Sequence, residues 1–166
     1  MRALKCFAFS AWNSLSKAAL VIAVLVLVRP TFAQEENQGK YVNSAAARLV
    51  KLVNLANNDG YQLQNNSFSI GGGWIPQSST WTPLFTLNMV RDRSYRIITV
   101  GDMDSKDVDV QVLDDTGRVV ASDTAVSQEA IVHYRPTRSG RYTIQTRVYA
   151  SQGNSPCVTI AIVMLK

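Results

Sequence analysis

Acidic residues concentrate in one short segment of the chain, GDMDSKDVDVQVLDDTG, which runs from Gly101 to Gly117. This segment holds six of the twelve acidic residues in the sequence. Carboxylates at such density suit three tasks: coordination of a hard cation, acid–base chemistry by a pair, or the capping of turns and strand ends. The task depends on the elements that position them.

Strand alternation and a turn account for most of these acids. The valines of DVDVQV alternate with Asp107, Asp109 and Gln111. Because successive side chains of a strand point to opposite faces, the valines are predicted to enter the core and the acids to meet solvent. Asp114 and Asp115 belong to DDTG, whose residue types favour a reversal of the chain.

Asp102 and Asp104 precede that strand, where no local rule requires an acid, and with Asp107 they form the candidate metal site. A hard cation such as Ca²⁺ takes oxygen ligands from several carboxylates and carbonyls on one loop. The segment lacks the central glycine and the final glutamate of an EF-hand loop. Two interpretations stay open: a weak calcium site, or solvated acids that cap turns. No other metal or cofactor is predicted.

The sequence does not contain a recognisable catalytic set. His133 is the only histidine, and its neighbours Val132 and Tyr134 suit the core face of a strand, which turns His133 outward. Asp107 and Asp109 have the composition of a glycosidase pair, but the outer face of a sandwich offers no cleft. No nucleophile elbow, zinc-protease helix or phosphate-binding loop is found. The sequence therefore predicts a protein that is not an enzyme.

Hydrophobic periodicity predicts the elements that carry these residues. The face that recurs at three- and four-residue steps indicates an amphipathic helix over residues 43–59 and consists of Ala45, Ala46, Leu49, Val50, Val53 and Ala56. After Gly60, short alternating segments separated by Asp, Gly, Ser or Pro predict seven or eight strands. The predicted fold is all-β: an antiparallel β-sandwich or jelly roll over residues 60–166, with one N-terminal helix after a signal peptide. The stretch IGGGW, residues 70–74, is predicted to interrupt regular structure.

The first 33 residues have the order of a secretory signal peptide: a basic start, the apolar run AALVIAVLVLV, and TFA before Gln34. Eleven apolar residues are too few to span a bilayer, although an uncleaved anchor is the alternative. Residues 34–42 are polar and predicted to form a flexible tail. The leader carries four basic residues and no acid, which leaves 13 basic and 12 acidic residues in the rest. The remaining net charge of +1 gives no support for nucleic acid as a partner.

Two aromatic side chains are candidates for ligand binding. Trp74 and Trp81 lie in GGGWIPQSSTW and could together form a stacking platform for a sugar or a peptide. The alternative is that both indoles cover the open edge of the core against the helix. Cys157 begins the apolar run CVTIAIVML and is predicted to be buried as a free thiol.

The order of these segments resembles the bacterial pre-peptidase C-terminal (PPC) domain, over roughly residues 84–162. A tyrosine strand ends in Gly-Asp, and DVDVQVLDDTG, VVASD and AIVHYRPTRSGRYTIQ follow in the order typical of that family. The resemblance implies a small jelly-roll sandwich of an exported protein, in a short free-standing form, in which loop acids sometimes help to bind calcium. The matching positions are Tyr95, Gly101, Asp102, Asp107, Asp109, Asp115, Gly117, Pro136, Ser139, Gly140 and Tyr142.

Taken together, these patterns predict an exported, non-catalytic binding or adhesion module of the bacterial envelope or extracellular space. Its expected partner is a protein or a polysaccharide, and its expected location is periplasmic or extracellular. The alternative is a structural or accessory envelope protein with a weak calcium-stabilised loop. Contact with a membrane is expected only through the signal segment, if that segment stays uncleaved.

Overall fold

The structure, a computed structural model, describes residues 32–64 and 69–166, with side chains from Gln38 onward. The chain divides into two compact units, Met1–Glu36 and Asn37–Lys166, and the fold below is that of the second unit. The signal peptide predicted over residues 1–33 lies outside the described residues, except for the backbone of its last two positions.

The described residues form one α-helix, nine strands and a short 3₁₀ turn. The helix is α1, Phe32–Asn58, and the 3₁₀ turn is Gln152–Asn154. The strands are β1 (Gln62–Leu63), β2 (Ile70–Ile75), β3 (Thr82–Met89), β4 (Tyr95–Gly101), β5 (Ser105–Leu113), β6 (Val119–Asp123), β7 (Glu129–Tyr134), β8 (Gly140–Ser151) and β9 (Cys157–Leu165).

The strands build two antiparallel sheets that pack as a β-sandwich, as the sequence predicts. The first sheet has the order β1-β9-β4-β7, and β2 pairs with the same edge of β9 as β1 does. The second sheet has the order β3-β8-β5-β6. Consecutive strands therefore cross between the sheets several times, which makes most contacts non-local.

The core has two main layers. Between the sheets, alternating residues of both inner faces interdigitate, with Tyr95, Val110 and Ile144 fully buried at the centre. Between α1 and the outer face of the first sheet, a second cluster joins Leu49 and Ile98. The helix is thus an integral layer of the fold, because it covers apolar residues that strands β4 and β9 would otherwise expose to water.

The helix is longer than the sequence predicts. It begins at Phe32, whereas the sequence predicts a helix from residue 43 and a flexible tail over residues 34–42. Tyr41 lies one turn before Ala45 on the same face, and its ring packs edge-on against Trp74 with 5.5 Å between centroids. This contact with a distant strand extends the packed face beyond the local pattern. Within the described residues, no helix combines the length and hydrophobicity that crossing a bilayer requires.

The buried stripe of α1 differs in part from the predicted one. Ala45, Leu49 and Ala56 are buried, as their spacing predicts. Val50, however, is exposed, and Leu52 takes a buried position that the predicted face omits. The helix ends within one residue of its predicted end.

The glycine-rich stretch at residues 70–74 is a strand, so the prediction that it interrupts regular structure is wrong. Ile70–Ile75 pairs with β9 in unbroken antiparallel register. A Cβ atom at Gly71 would collide with the ring of Phe85, and one at Gly72 with the backbone oxygen of Thr159. Glycine is needed here because the neighbours approach too closely for any side chain, a requirement that strand propensity does not reveal.

Candidate functional site

The acids of β5 are buried, which corrects the prediction that they meet solvent. The three valines of DVDVQV do enter the core, each with no exposed surface. Asp107 and Asp109 are nevertheless only 4% and 1% exposed. Strand β5 lies inside the second sheet between β8 and β6, and the Arg147 side chain of β8 contacts Asp109 on its outer face. Alternation therefore predicts correctly that these acids lie on the outer face of the sheet, but it predicts wrongly that they are exposed to water.

Arg147 compensates the negative charge of Asp109. Arg147 is its directly opposed residue on β8, and the Arg147 Nε atom donates to Asp109 Oδ2 at 2.5 Å. A second guanidinium nitrogen of Arg147 donates to the backbone oxygen of Ser79 at 3.4 Å. A buried carboxylate needs such a partner, because the low dielectric around it strongly disfavours an uncompensated charge.

Two aromatic rings hold the guanidinium in place. The Cζ atom of Arg147 lies 4.6 Å from the ring centroid of Trp81 and 4.9 Å from that of Tyr149. Both rings lie within cation–π distance of Arg147, which is mostly buried, while Tyr149 is 53% exposed. The ion pair thereby fixes an exposed tyrosine and a half-buried tryptophan as a rigid surface.

Polar side chains continue this surface along β8. Residues 143, 145, 147 and 149 alternate with the buried residues 142, 144, 146 and 148, so they lie on the outer side of the second sheet. Gln111 donates from its side-chain nitrogen to the side-chain oxygen of Gln145 at 2.7 Å. The hydroxyls of Thr86 and Thr143 lie 3.2 Å apart. We refer to this surface as the β8 face; it comprises Trp81, Gln111, Thr143, Gln145, Arg147 and Tyr149.

Asp107 is compensated less than Asp109, because a hydrogen bond from the Ser127 backbone and the charge of Arg147 only partly offset its burial. Its Oδ1 atom is buried and has no hydrogen-bond partner within the described residues. Burial raises the pKa of this carboxyl above its usual value, and the negative charge of Asp109 raises it further. Asp109 also keeps one buried oxygen without a partner, so the two neighbouring acids share one guanidinium between them.

Asp102 serves the backbone rather than a ligand. Its Oδ2 atom accepts a hydrogen bond from the Val158 N–H at 2.6 Å, and its Oδ1 atom accepts from the Asp104 N–H at 3.0 Å. The Asp102 side chain thereby joins the β4–β5 loop to the start of β9. Asp104 is half-buried beside α1, where its negative charge raises the pKa of the Tyr41 hydroxyl.

The three candidate metal ligands therefore lie in different surroundings. Asp102 faces β9, Asp104 faces α1, and Asp107 lies on the outer side of the second sheet near Asp109. Within residues 32–64 and 69–166, no three His, Cys, Asp or Glu side chains gather closely enough to hold a metal ion. Calcium binding by Asp102, Asp104 and Asp107 stays a prediction, and this conformation offers it no assembled ligand set.

The DDTG segment forms the turn that the sequence predicts. The Oδ1 atom of Asp114 accepts from the N–H groups of Thr116 and Arg118 at 3.0 and 3.1 Å, and from the Thr116 hydroxyl at 2.5 Å. Hydrogen bonding by Thr116 lowers the pKa of Asp114 to about 2. Gly117 has a positive φ of 80°, the left-handed conformation that closes this turn. Asp114 is therefore a structural acid.

The two candidate tryptophans belong to opposite outer faces of the sandwich and do not form one platform. Trp81 is part of the β8 face, whereas Trp74 lies beside α1, 47% exposed, on the outer side of the first sheet. Trp74 borders an open apolar groove of about 500 Å³ between α1 and β2. The groove is lined by Gln38, Val42, Ile70, Gly71, Gly72, Gly73, Trp74, Val158 and Ile160.

His133 and Cys157 have the placements that the sequence predicts. His133 is exposed on β7, and its ring packs edge-on against Tyr61 with 6.1 Å between centroids. Cys157 is a free, buried thiol, and burial raises its pKa to about 12.

The β8 face is the feature that sequence reasoning missed. Only one of its members, Trp81, is a candidate from the sequence, because the arrangement depends on pairing between β5 and β8. The available signal was the alternation of polar residues in RYTIQTRVY, which predicts one outward-facing row. No protein-family model matches the chain, and no curated protein matches its sequence.

Proposed function

We propose that this protein is an exported, non-catalytic binding module and that the β8 face is its binding surface. The observation that carries the proposal is the guanidinium of Arg147, which is paired with Asp109 and lies within cation–π distance of both Trp81 and Tyr149. A preorganised aromatic surface binds with little loss of side-chain entropy, which favours a recognition role over a purely structural one.

The chemistry of the face favours a polysaccharide ligand. Tyr149 offers an exposed ring for stacking against the apolar side of a sugar. Gln145 and Thr143 supply donors and acceptors for hydroxyl groups in the same row of β8. The charge of Arg147 is already compensated by Asp109, so the ligand needs no negative charge. A neutral polysaccharide therefore fits this surface better than an acidic one.

Export and the kinship with PPC domains belong to the same proposal. The order of charges and apolar residues in the leader supports export, and the segment order from residue 84 to residue 162 supports a PPC-like module. Mass spectrometry of the protein from its native host is expected to find a mature N-terminus at or near Gln34. An intact leader on a cytoplasmic protein would contradict export.

Binding can be tested with the full chain and immobilised polysaccharides of neutral and acidic composition. Tyr149→Ala removes the exposed ring and is expected to weaken binding to the preferred neutral polysaccharide at least about tenfold, the scale of one stacking contact. Leu55→Ala, which truncates a similarly exposed side chain on α1, is the matched control and should leave binding unchanged. Equal affinity of all three proteins, or no affinity for any polysaccharide, would contradict the proposal.

The second candidate function is a structural or accessory role in the envelope. It is favoured by the structural role of the acids, since the carboxylates of Asp102 and Asp114 both accept hydrogen bonds from backbone N–H groups. It is weakened by the position of α1, because most of the apolar face of this helix is already covered by the first sheet. Failure of the polysaccharide assay would favour this second role.

A further inference from the structure

Strand β2 is an edge strand that lacks the features which usually keep sheet edges from pairing. It pairs with β9 over Ile70–Ile75, and among the described strands it has no second neighbour in the sheet. Natural edges carry charged residues, proline or bulges, because unpaired N–H and C=O groups are a template for another strand. The sequence IGGGWI has no charge and no proline, and its register is unbroken.

The other edges of the two sheets are guarded. Strand β3 contains Pro83 and a register shift next to it. On β7, the N–H of Ile131 already donates to Oδ2 of Asp123 at 2.8 Å. Strand β6 has only five residues and a register shift where it meets β5. The contrast within one molecule indicates that the edge of β2 is left open for pairing.

The backbone of β2 defines which groups are free. The Val163 N–H donates to the Ser69 oxygen at 2.8 Å, next to the first residue of the strand. Hydrogen bonding alternates along an antiparallel strand, so the odd-numbered residues of β2 bond to β9. The N–H and C=O groups of Ile70, Gly72 and Trp74 therefore point to the open edge.

We propose that β2 pairs antiparallel with β2 of a second copy of this chain, about a two-fold axis at Gly72. In this register Gly72 lies opposite Gly72 of the second copy, and Ile70 lies opposite Trp74 of the second copy. The free groups of all three outward residues then meet free groups, because the opposed pairs exchange both of their hydrogen bonds. The two first sheets join into one continuous sheet, an isologous dimer.

The side chains of β2 complement one another in the same register. Ile70 and Trp74 both lie on the side of the sheet that faces α1, with Gly72 between them. Gly72 tolerates no side chain, so the groove stays open at its position. The exposed indole of Trp74 from one copy covers Ile70 and the groove of the other, beside Val42. Pairs of an aromatic and a β-branched residue directly opposite each other stabilise antiparallel strands.

Two further observations favour a second copy as the occupant. The residues that line the groove carry no charge, so two copies do not repel each other there. The apolar residues are also symmetric about Gly72, which a foreign strand would not require. A register shifted by two residues would place Ile70 opposite Pro76 of the second copy, which has no N–H to donate.

The dimer extends the proposed function without depending on it. It lies on the first sheet, on the opposite outer side of the sandwich from the β8 face. Two copies joined in this way present two β8 faces on one rigid body. Binding to a repetitive polymer would then gain from avidity, since the second contact forms at a high effective concentration.

Sedimentation velocity of the full chain tests the dimer directly. The wild type is expected to sediment as a dimer that dissociates on dilution. Trp74→Lys places a charge on the open edge and is expected to weaken association by at least about a hundredfold, because two copies would bury it. Val126→Lys adds the same charge at a loop position that is 85% exposed and should leave the dimer intact.

Hydrogen exchange of individual amides separates this dimer from any other. The amides of Gly72 and Trp74 should exchange at least about tenfold more slowly at dimer-forming concentrations than after dilution. The amides of Gly71 and Gly73 bond to β9 and should be protected in both states. The proposal is overturned by a monomer at all concentrations, by a dimer in which Gly72 and Trp74 exchange rapidly, or by association that survives Trp74→Lys. Slow exchange that requires an added protein or polysaccharide would assign the edge to that occupant instead.

Discussion

Arg147 and Asp109 lie directly opposite each other on β8 and β5, and their side chains meet on the outer side of the second sheet at 2.5 Å. The relationship is unequal. Asp109 is almost fully buried and has one further oxygen without a partner in the described part of the chain, whereas a fifth of the Arg147 side chain is exposed. The buried charge of Asp109 therefore needs Arg147 more than the partly solvated charge of Arg147 needs Asp109.

We expect Arg147→Met to be more destabilising than Asp109→Asn. Loss of the guanidinium leaves a buried carboxylate without compensation, which lowers the free energy of unfolding by about 2–3 kcal/mol, less than for a fully buried pair because water reaches Arg147. Asp109→Asn keeps a hydrogen-bond acceptor and leaves a cation that water can solvate. We therefore expect it to lower the free energy of unfolding by only about 1 kcal/mol. Urea unfolding of both variants measures the difference, and equal losses would contradict this asymmetry.

Gly72 and Gly73 are neighbours on β2 with opposite tolerance of a side chain. A Cβ atom at Gly72 would collide with the Thr159 backbone oxygen, so Gly72→Ala should destabilise the fold by about 1–3 kcal/mol. A Cβ atom at Gly73 meets nothing within 4 Å, and Gly73→Ala should be neutral or stabilise by a few tenths of a kcal/mol. Thermal unfolding under reducing conditions compares the two variants. A similar loss in both would show that the close approach is not the cause.

These glycines illustrate why part of the fold cannot be predicted from the sequence alone. Strand alternation predicted the burial of Val108, Val110 and Val112, because the period of two is a local property. The need for glycine at positions 71 and 72 is not local, since it arises from Phe85 and from the backbone of β9. A pattern of three glycines alone favours a loop over a strand.

The arrangement of the candidate site is not predictable from the sequence for the same reason. Alternation cannot predict that Asp109 is buried, because the residue that covers it, Arg147, lies 38 positions further along the chain. The turn at Asp114, by contrast, was predictable, since its partners Thr116 and Arg118 are close in sequence. Chemistry within a turn can be deduced from spacing, whereas chemistry between strands requires their pairing.

Asp114 should contribute to stability in a defined range of pH. Its folded-state pKa is about 2, below the ordinary value of about 3.9 in an unfolded chain. A lowered pKa means that the carboxylate stabilises the fold above about pH 4 and that this contribution is lost as the pH falls toward 2. The difference in unfolding free energy between the wild type and Asp114→Asn should therefore shrink over that range.

Thr116→Val provides the control for this pH dependence. It removes the hydroxyl that is the largest cause of the lowered pKa and should move the Asp114 pKa upward in an NMR titration. An unchanged pKa in Thr116→Val would show that the backbone N–H groups alone hold the carboxylate in its charged form.

Asp107 should behave in the opposite sense. Its folded-state pKa is raised by burial and by Asp109, so the folded state binds a proton more tightly than the unfolded chain does. Its charge therefore destabilises the fold at neutral pH, and this penalty disappears as the pH falls below the unfolded value of about 3.9. Asp107→Asn should stabilise the protein at pH 7 by about 1 kcal/mol, the scale of one hydrogen bond, and should have no such advantage at pH 3. Urea unfolding at both values measures this, and a destabilised variant at pH 7 would contradict it.

Calcium is expected to add little to the stability of this fold. Both side-chain oxygens of Asp102 already accept backbone hydrogen bonds, and Asp104 and Asp107 face different elements. A real site at a hundredfold excess of calcium over its dissociation constant would add about 2.7 kcal/mol, or roughly 5–10 °C in melting temperature for a domain of this size. We therefore expect equal melting temperatures in millimolar calcium and in EDTA. A shift of that size, lost in Asp104→Asn but kept in Asp115→Asn, would instead mean that the loop rearranges to bring Asp102, Asp104 and Asp107 together around the ion.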